Sequence, residues 1–224
     1  RWLPAVLLST VLTCAEAAPI AIVNPSFEDD STDTGTHNMI PTTGWTHSVP
    51  VSTTFQMGTY NVTPGGFFAP ANIPHGTGTV WMNVTGSMSQ VLPTTLAGGG
   101  NYNLSAYVGL RSNNGIAGHL YALQLWAGGV FLNEVSGETT LADQGTFRQI
   151  SLTYQAPAVV APGRNLEIRL VHRSASSFYP QLAWDLVALD GPIDEPAVPE
   201  PASMTITAMG LLLGLTWRRS RRMR

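Results

Sequence analysis

The stretch Tyr102-Asn103-Leu104-Ser105-Ala106-Tyr107-Val108-Gly109-Leu110 alternates polar and apolar side chains over most of its length. Successive side chains of a β-strand point to opposite faces of its sheet, so the alternation predicts a strand with one buried face. Gly128-Gly129 predicts a tight hairpin, and residues 51–74 predict long loops with one or two short strands. Further strands are predicted at residues 21–23, 80–84, 87–92, 120–126, 130–132, 147–154, 166–171 and 182–189. The sequence therefore predicts an all-β, antiparallel sandwich.

The composition of the chain excludes several classes of function. The 224 residues carry a formal net charge of −3 and a single cysteine, Cys14. A mildly acidic body argues against a nucleic-acid partner. One thiol allows no intramolecular disulfide and no zinc site built from cysteines, so the core, or a bound ion, must stabilise the domain.

Residues 1–18 have the features of a secretory signal peptide. A basic first residue precedes a short apolar core, and the small residues of Ala15-Glu16-Ala17 follow it. This order predicts export, with cleavage after Ala17 or Ala18. Lipoprotein processing at Cys14 is the alternative.

The carboxyl end has three parts in a fixed order. Pro199-Glu200-Pro201 is followed by an uncharged apolar run over 202–217 and by five arginines within 218–224. The apolar run predicts a transmembrane helix, and the arginines predict that its end faces the cytoplasm. A buried helix that closes the domain is the alternative.

This three-part tail resembles the PEP-CTERM sorting signal, which an exosortase processes. The resemblance implies transient anchoring in the inner membrane, cleavage near Pro199-Glu200-Pro201, and a final place at the cell surface or in an extracellular, exopolysaccharide-containing matrix. Exosortase and the export machinery are the partners that it implies. The expected organisation is a signal peptide (1–18), one sandwich domain (19–193), a linker (194–198) and a sorting signal (199–224).

The body also resembles a known fold family. Asn24, Phe27 and Glu28 open it, Gly44-Trp45 follows, and Asp185-Leu186-Val187-Ala188-Leu189 lies in the last strand. These motifs, with Tyr102-Asn103-Leu104-Ser105-Ala106 between them, are similar to those of galactose-binding-like jelly rolls, which include carbohydrate-binding modules. The resemblance implies a jelly roll and a structural calcium held by Glu28 and Asp185, whose carboxylates are suitable calcium ligands.

Aromatic residues in loops are the candidate ligand-binding residues. Trp45, Tyr60, Phe178 and Tyr179 could stack on sugar rings, although packing beneath a long loop is the alternative for each. The histidines are scattered, and no motif of a nucleophile or a zinc hydrolase is present. The sequence therefore predicts a non-catalytic, polysaccharide-binding matrix protein rather than an enzyme. A purely structural adhesion protein and a polysaccharide hydrolase are the alternatives.

Overall fold

The computed structural model describes residues 17–30, 37–38 (backbone only), 42–49, 57–64, 66–68, 72–112, 118–173 and 181–192. The chain divides into two units, Arg1–Ile193 and Asp194–Arg224, and the second lies wholly outside these ranges. Within the described ranges, no helix is long and apolar enough to cross a membrane. The described helices are two short 3-10 turns, Glu28–Asp30 and Leu141–Asp143.

Twelve strands make up the described part of the chain. They are β1 (Ala17–Pro19), β2 (His37–Asn38), β3 (Thr46–Ser48), β4 (Met57–Asn61), β5 (Gly78–Met82), β6 (Gly86–Thr95), β7 (Asn101–Leu110), β8 (Leu120–Ala127), β9 (Val130–Glu138), β10 (Thr146–Gln155), β11 (Asn165–His172) and β12 (Leu182–Pro192).

The strands form two antiparallel sheets. The seven-stranded sheet has the order β10-β7-β12-β5-β4-β2, with β1 paired to β12, and the five-stranded sheet has the order β3-β6-β11-β8-β9. Each strand pair in these sheets is antiparallel. The prediction of an all-β antiparallel sandwich is therefore confirmed.

The first predicted strand, at residues 21–23, is absent. Val23 instead forms hydrogen bonds with a side chain: its N donates to Oε1 of Gln90 at 2.8 Å, and its O accepts from Nε2 of Gln90 at 2.9 Å. The strand begins earlier, as β1 at Ala17–Pro19, and pairs with the end of β12. A short apolar run cannot reveal that a distant glutamine takes the place of a neighbouring strand.

The main hydrophobic core lies between the two sheets. Alternate residues of β7, namely Tyr102, Leu104 and Ala106, are buried there. Trp184 of β12 meets Tyr121 of β8 across the sandwich, with ring centroids 6.1 Å apart in an edge-on arrangement. Burial of such side chains stabilises the fold by roughly 1.5–3 kcal/mol each.

A second apolar cluster lies on the outer face of the seven-stranded sheet. Trp81 of β5 points to this side because its neighbours in the strand, Val80 and Met82, point into the main core. Loop residues fold over it, and the ring of Phe68 lies 4.8 Å from that of Phe147. We call this group the outer cluster; it consists of Tyr60, Val62, Phe67, Phe68, Ile73, Trp81, Phe147 and Ala183.

Candidate active site

Asp185 lies at a break in the ladder between β12 and β7. It pairs with Tyr107, but the register shifts between Asp185 and Ala188, and Leu186 has a φ of 47°. A β-bulge of this kind bends its strand and redirects the side chains beside it, and bulges are frequent next to active sites. The bulge therefore helps to set the direction of the Asp185 carboxyl.

The Asp185 carboxyl is fully buried and accepts two backbone hydrogen bonds. His75 N donates to Oδ2 at 3.1 Å, and Leu186 N donates to Oδ1 at 2.7 Å. Burial raises the pKa of Asp185 to about 7; the two hydrogen bonds oppose this rise, and the charge of Glu28 adds to it. A large fraction of this carboxyl therefore keeps its proton at neutral pH, and it can act as an acid.

Glu28 fixes the backbone segment that approaches Asp185. Its Oε1 accepts hydrogen bonds from Thr77 N at 3.0 Å and from Gly78 N at 2.7 Å. Between the carboxylate and these amides, Gly76 has a φ of 56°, and a Cβ added there would lie 2.3 Å from Oε1 of Glu28. Only glycine fits this close approach, so the backbone conformation of residues 76–78 and the position of the Glu28 carboxylate depend on each other.

Aromatic side chains cover the same face of the sheet as Asp185. Two residues earlier in β12, and hence on the same side of the strand, Ala183 belongs to the outer cluster. In that cluster the ring centroids of Tyr60 and Phe67 are 5.3 Å apart. The faces of aromatic rings attract cations, so this surface places a proton donor beside groups that can stabilise a positively charged intermediate.

A separate groove of about 390 Å³ lies on the outer face of the five-stranded sheet. Arg169 lines it, with its guanidinium carbon 3.9 Å from the centroid of the Trp126 ring and its Nε 2.7 Å from Oε1 of Glu167. Arg173 also lines it and pairs with Glu134 at 2.5 Å. Both arginines are thus neutralised by carboxylates. Because the strongly shifted acid lies on the other sheet, we place the candidate active site at Asp185.

The predicted ligand-binding aromatics have different placements. Trp45 is only 5% exposed and packs in the main core, where its ring lies 5.5 Å from Phe27. Tyr60 is buried in the outer cluster, near the candidate active site. Phe178 and Tyr179 lie outside the described residues, as does the predicted sorting motif Pro199, Glu200 and Pro201.

The predicted metal pair, Glu28 and Asp185, contacts one continuous segment, residues 75–78. In the part of the chain that the structure describes, no group of three or more His, Cys, Asp or Glu side chains could hold a metal ion. The resemblance selected these two carboxyls as calcium ligands, and nothing in the sequence indicated that Asp185 is buried with a raised pKa.

Trp81 and Arg111 are site residues that sequence reasoning missed. Trp81 is buried, and it faces the outer cluster rather than the space between the sheets. Arg111 follows β7 and lies over Phe67. Strand alternation could have placed Trp81 on the outer face, whereas the Arg111 contact depends on how a distant loop folds back.

These features define a β-sandwich protein with a buried carboxyl of raised pKa on the same face as a cluster of aromatic side chains. The profile of a family described as HpiC1 cyclase matches residues 18–190. The chain therefore belongs to the HpiC1-like cyclase family. No curated protein matches it.

Solved structures of cyclases share this fold. A Stig cyclase, Fisc from Fischerella sp. TAU, in complex with (3Z)-3-(1-methyl-2-pyrrolidinylidene)-3H-indole, has a TM-score of 0.69 and 20% identity; the alignment covers 80% of this chain and 99% of that one. A cyclase from the same organism, in complex with 4-(1H-indol-3-yl)butan-2-one, has a TM-score of 0.66 and 21% identity, with 79% and 98% covered. At these identities the likeness concerns the fold.

The family match corrects the predicted function. The prediction of a non-catalytic polysaccharide-binding or matrix protein was wrong, because the matching family is one of cyclases, which are enzymes. The predicted partners, exosortase and exopolysaccharide, are contradicted by the same family match. Assignment to the PEP-CTERM and galactose-binding-like families is likewise replaced by the HpiC1-like family. The tail that carried the first resemblance lies outside both the described residues and the matched range 18–190.

Proposed function

We propose that this protein is a cyclase that closes a ring in an unsaturated small molecule by proton transfer from Asp185. The single observation that carries the proposal is this buried carboxyl, whose pKa is raised to about 7. Membership of the HpiC1-like family supports it. Because the two Fischerella cyclases hold indole-containing ligands, we propose an indole-bearing substrate here as well.

The proposed reaction is an isomerisation. The protonated Asp185 carboxyl donates its proton to an unsaturated atom of the substrate and leaves a cation. A π bond elsewhere in the same molecule supplies the electron pair for a new carbon–carbon bond and becomes the new cationic centre. Loss of a proton from an atom adjacent to that centre to the Asp185 carboxylate forms a new π bond and restores the acid, so the product has the mass of the substrate and no oxidant or reductant is consumed.

The outer cluster has two roles in this proposal. Its rings, among them Trp81 and Tyr60, stabilise the positive charge that develops during ring closure. They also exclude water, which would otherwise capture the cation and give an alcohol instead of a new ring. Glu28 acts as a positioning residue, because it holds the segment 75–78 whose His75 amide donates to Asp185.

The direct test uses a panel of indoles that carry an unsaturated side chain, with chromatography and mass spectrometry to detect products of unchanged mass. We expect the wild-type protein to form a cyclised isomer, and Asp185→Asn to reduce the rate about 10²–10⁴-fold. Asp190→Asn, on the same strand but away from the outer cluster, is the matched control and should retain the wild-type rate. Equal rates for wild type and Asp185→Asn would disprove the proposed acid.

A structural calcium between Glu28 and Asp185 is a competing proposal for the same pair. The influence of Glu28 on the pKa of Asp185 supports it, because two acidic groups lie close enough to interact. Calcium would require an ionised Asp185, which could not donate a proton. A melting temperature that rises with calcium and falls with a chelator would favour calcium; insensitivity to both would favour the acid.

Finer features of fold and location also belong to this proposal. We propose that the sandwich is a jelly roll spanning 19–193, that residues 194–198 form a linker, and that the protein is exported through a signal peptide at residues 1–18. The start of the family match at residue 18 supports that boundary. Mass spectrometry of the mature amino terminus, purified from an expressing cell, tests the cleavage.

A further inference from the structure

Arg111 places a positive charge at the edge of the outer cluster. Its guanidinium carbon lies 3.8 Å from the centroid of the Phe67 ring, and its Nη1 donates to Oε1 of Gln181 at 3.0 Å. Burial lowers the pKa of Arg111, whereas the nearby Tyr60 raises it. Even when lowered, an arginine pKa leaves the side chain charged at neutral pH.

The strand register separates this cation from the acid. Tyr107 of β7 pairs with Asp185, and Leu110, which precedes Arg111, pairs with Leu182. Arg111 therefore follows Tyr107 by four residues, or about 13 Å along the strand at ~3.3 Å per residue. The candidate active site thus has a proton donor at one end, a guanidinium at the other, and aromatic side chains between them.

The stacking on Phe67 favours recognition in the plane of the guanidinium. Stacking uses the face of this planar group, whereas its N–H donors point outward within the plane. A carboxylate matches that geometry with two parallel hydrogen bonds, and partial burial strengthens the attraction because water screens it less. A neutral oxygen atom would gain much less from the same position.

We propose that Arg111 binds a carboxylate on the substrate, so that the cyclase acts on an indole-bearing organic acid whose unsaturated end reaches Asp185. The inference rests on the proposed function and adds the charge of the substrate to it. Arg111 is then a specificity-determining residue: it sets which molecule binds and in which direction, while Asp185 performs the proton transfer.

A purely structural role for Arg111 makes a different prediction. Ser112 N donates to the carbonyl oxygen of Phe67 at 2.9 Å, so the end of β7 already holds the loop that carries Phe67. If Arg111 served only to reinforce this contact, its replacement would lower stability and weaken every ligand equally. A preference for negatively charged ligands separates the two roles.

The test compares two ligands of nearly the same shape. One is 4-(1H-indol-3-yl)butan-2-one, the ketone bound by a Fischerella cyclase, and the other is the corresponding acid, in which a carboxylate replaces the methyl ketone. Isothermal titration of the full chain measures both affinities. We expect the wild type to bind the acid at least about tenfold more tightly than the ketone, because a charge-assisted bidentate pair replaces a neutral hydrogen bond.

Variants assign that preference to Arg111. Arg111→Gln should bind the two ligands about equally, because its amide can donate only a neutral hydrogen bond to either, and Arg111→Lys should keep part of the preference because it keeps the charge. Arg173→Gln, on the other sheet, is the control and should retain the full preference. Arg111→Lys also serves as the test if Arg111→Gln does not fold, which circular dichroism would show.

The outcomes separate the inference from the proposed function. Equal binding of both ligands by the wild type, or a preference that survives in Arg111→Gln, overturns the carboxylate inference but leaves a cyclase of neutral indoles. No binding of either ligand overturns the inference and the indole substrate together. An unchanged rate in Asp185→Asn overturns the acid role, whatever Arg111 binds.

Discussion

The two outer faces of the sandwich differ in how their charged side chains are paired. On the five-stranded sheet, Arg169 pairs with Glu167 and Arg173 pairs with Glu134, so each cation has a carboxylate beside it. On the seven-stranded sheet, Asp185 is buried on the face that carries the outer cluster, and it accepts hydrogen bonds from backbone amides. Its pKa is raised, whereas that of Glu134 is lowered by its hydrogen bond to Arg173.

This difference indicates which face performs chemistry. A paired surface charge is already at low energy, so it gains little from taking up or releasing a proton. A buried carboxyl without a cation is destabilised when ionised. This cost raises its pKa, so the group can hold and donate a proton near neutral pH. The groove on the five-stranded sheet provides a cavity, whereas the face of the seven-stranded sheet carries a carboxyl that can hold and donate a proton near neutral pH.

The largest expected effect is a fall in the cyclisation rate with rising pH, which tests whether the face that carries Asp185 performs the reaction. With the pKa of Asp185 at about 7, the fraction of protonated acid falls tenfold for each pH unit above that value. The rate constant for cyclisation at saturating substrate should therefore drop about 50-fold between pH 7, where half of the acid is protonated, and pH 9. A rate that is flat over this range, measured for a substrate with no ionisable group, would exclude Asp185 as the acid.

The strand pattern of this chain could be predicted because it depends on local alternation. Strands β6, β7, β10 and β11 follow from the period of two in the sequence, and the Gly128-Gly129 turn is confirmed by its two positive φ angles, 55° and 75°. The predicted strand at residues 21–23 failed because the Gln90 side chain, 67 positions away, hydrogen-bonds the Val23 backbone.

The candidate site could be predicted only in part. Glu28 and Asp185 were chosen as calcium ligands because the motifs that contain them resemble those of galactose-binding-like jelly rolls. Their chemistry depends on burial, on the bulge at Leu186 and on the amide of His75, 110 positions from Asp185. None of these leaves a local signature, so a proton donor and a calcium ligand have the same appearance in the sequence.

The second largest effect concerns stability on the reactive face. Asp185 has a folded pKa of about 7 against an unfolded value of 3.8, so the folded state holds a proton that the unfolded state releases. Its contribution to stability therefore falls as pH rises from about 4 to about 7. Asp185→Asn should raise the free energy of unfolding at pH 8 by about 2 kcal/mol or more, although it slows the cyclisation.

Thermal unfolding of wild type and Asp185→Asn at pH 5 and pH 8 checks this. We expect the variant to have the higher melting temperature at pH 8, by roughly 4 °C or more, and a smaller advantage at pH 5. The control Asp190→Asn should show no such change with pH. A variant that is less stable than wild type at pH 8 would show that the ionised carboxylate is stabilised, as calcium binding requires.

The third effect has the opposite pH direction and lies at the groove. His172 lines the groove and is fully buried; burial and the neighbouring His119 lower its pKa to about 4, against the opposing effect of a hydrogen bond to the Val84 carbonyl. The unfolded histidine takes up a proton near pH 6.5, so this contribution to stability is present above pH 6.5 and is lost as pH falls towards 4.

Removal of the imidazole tests this window. The wild type should lose roughly 1–2 kcal/mol of stability between pH 7 and pH 5 through this group, and His172→Gln should lose less over the same interval. Chemical denaturation at the two pH values measures the difference. An identical loss in both proteins would mean that another group dominates the acid sensitivity.

The smallest effect is expected where the charges are already balanced. Arg173 and Glu134 have side chains that are 39% and 27% exposed, so their pair is partly solvated and should contribute less than about 1 kcal/mol. A double-mutant cycle of Arg173→Gln and Glu134→Gln measures that coupling, and both single variants should cyclise the substrate at the wild-type rate. A rate reduced more than tenfold in either would place chemistry in the groove, because a solvated ion pair this weak could not cause such a loss through stability alone.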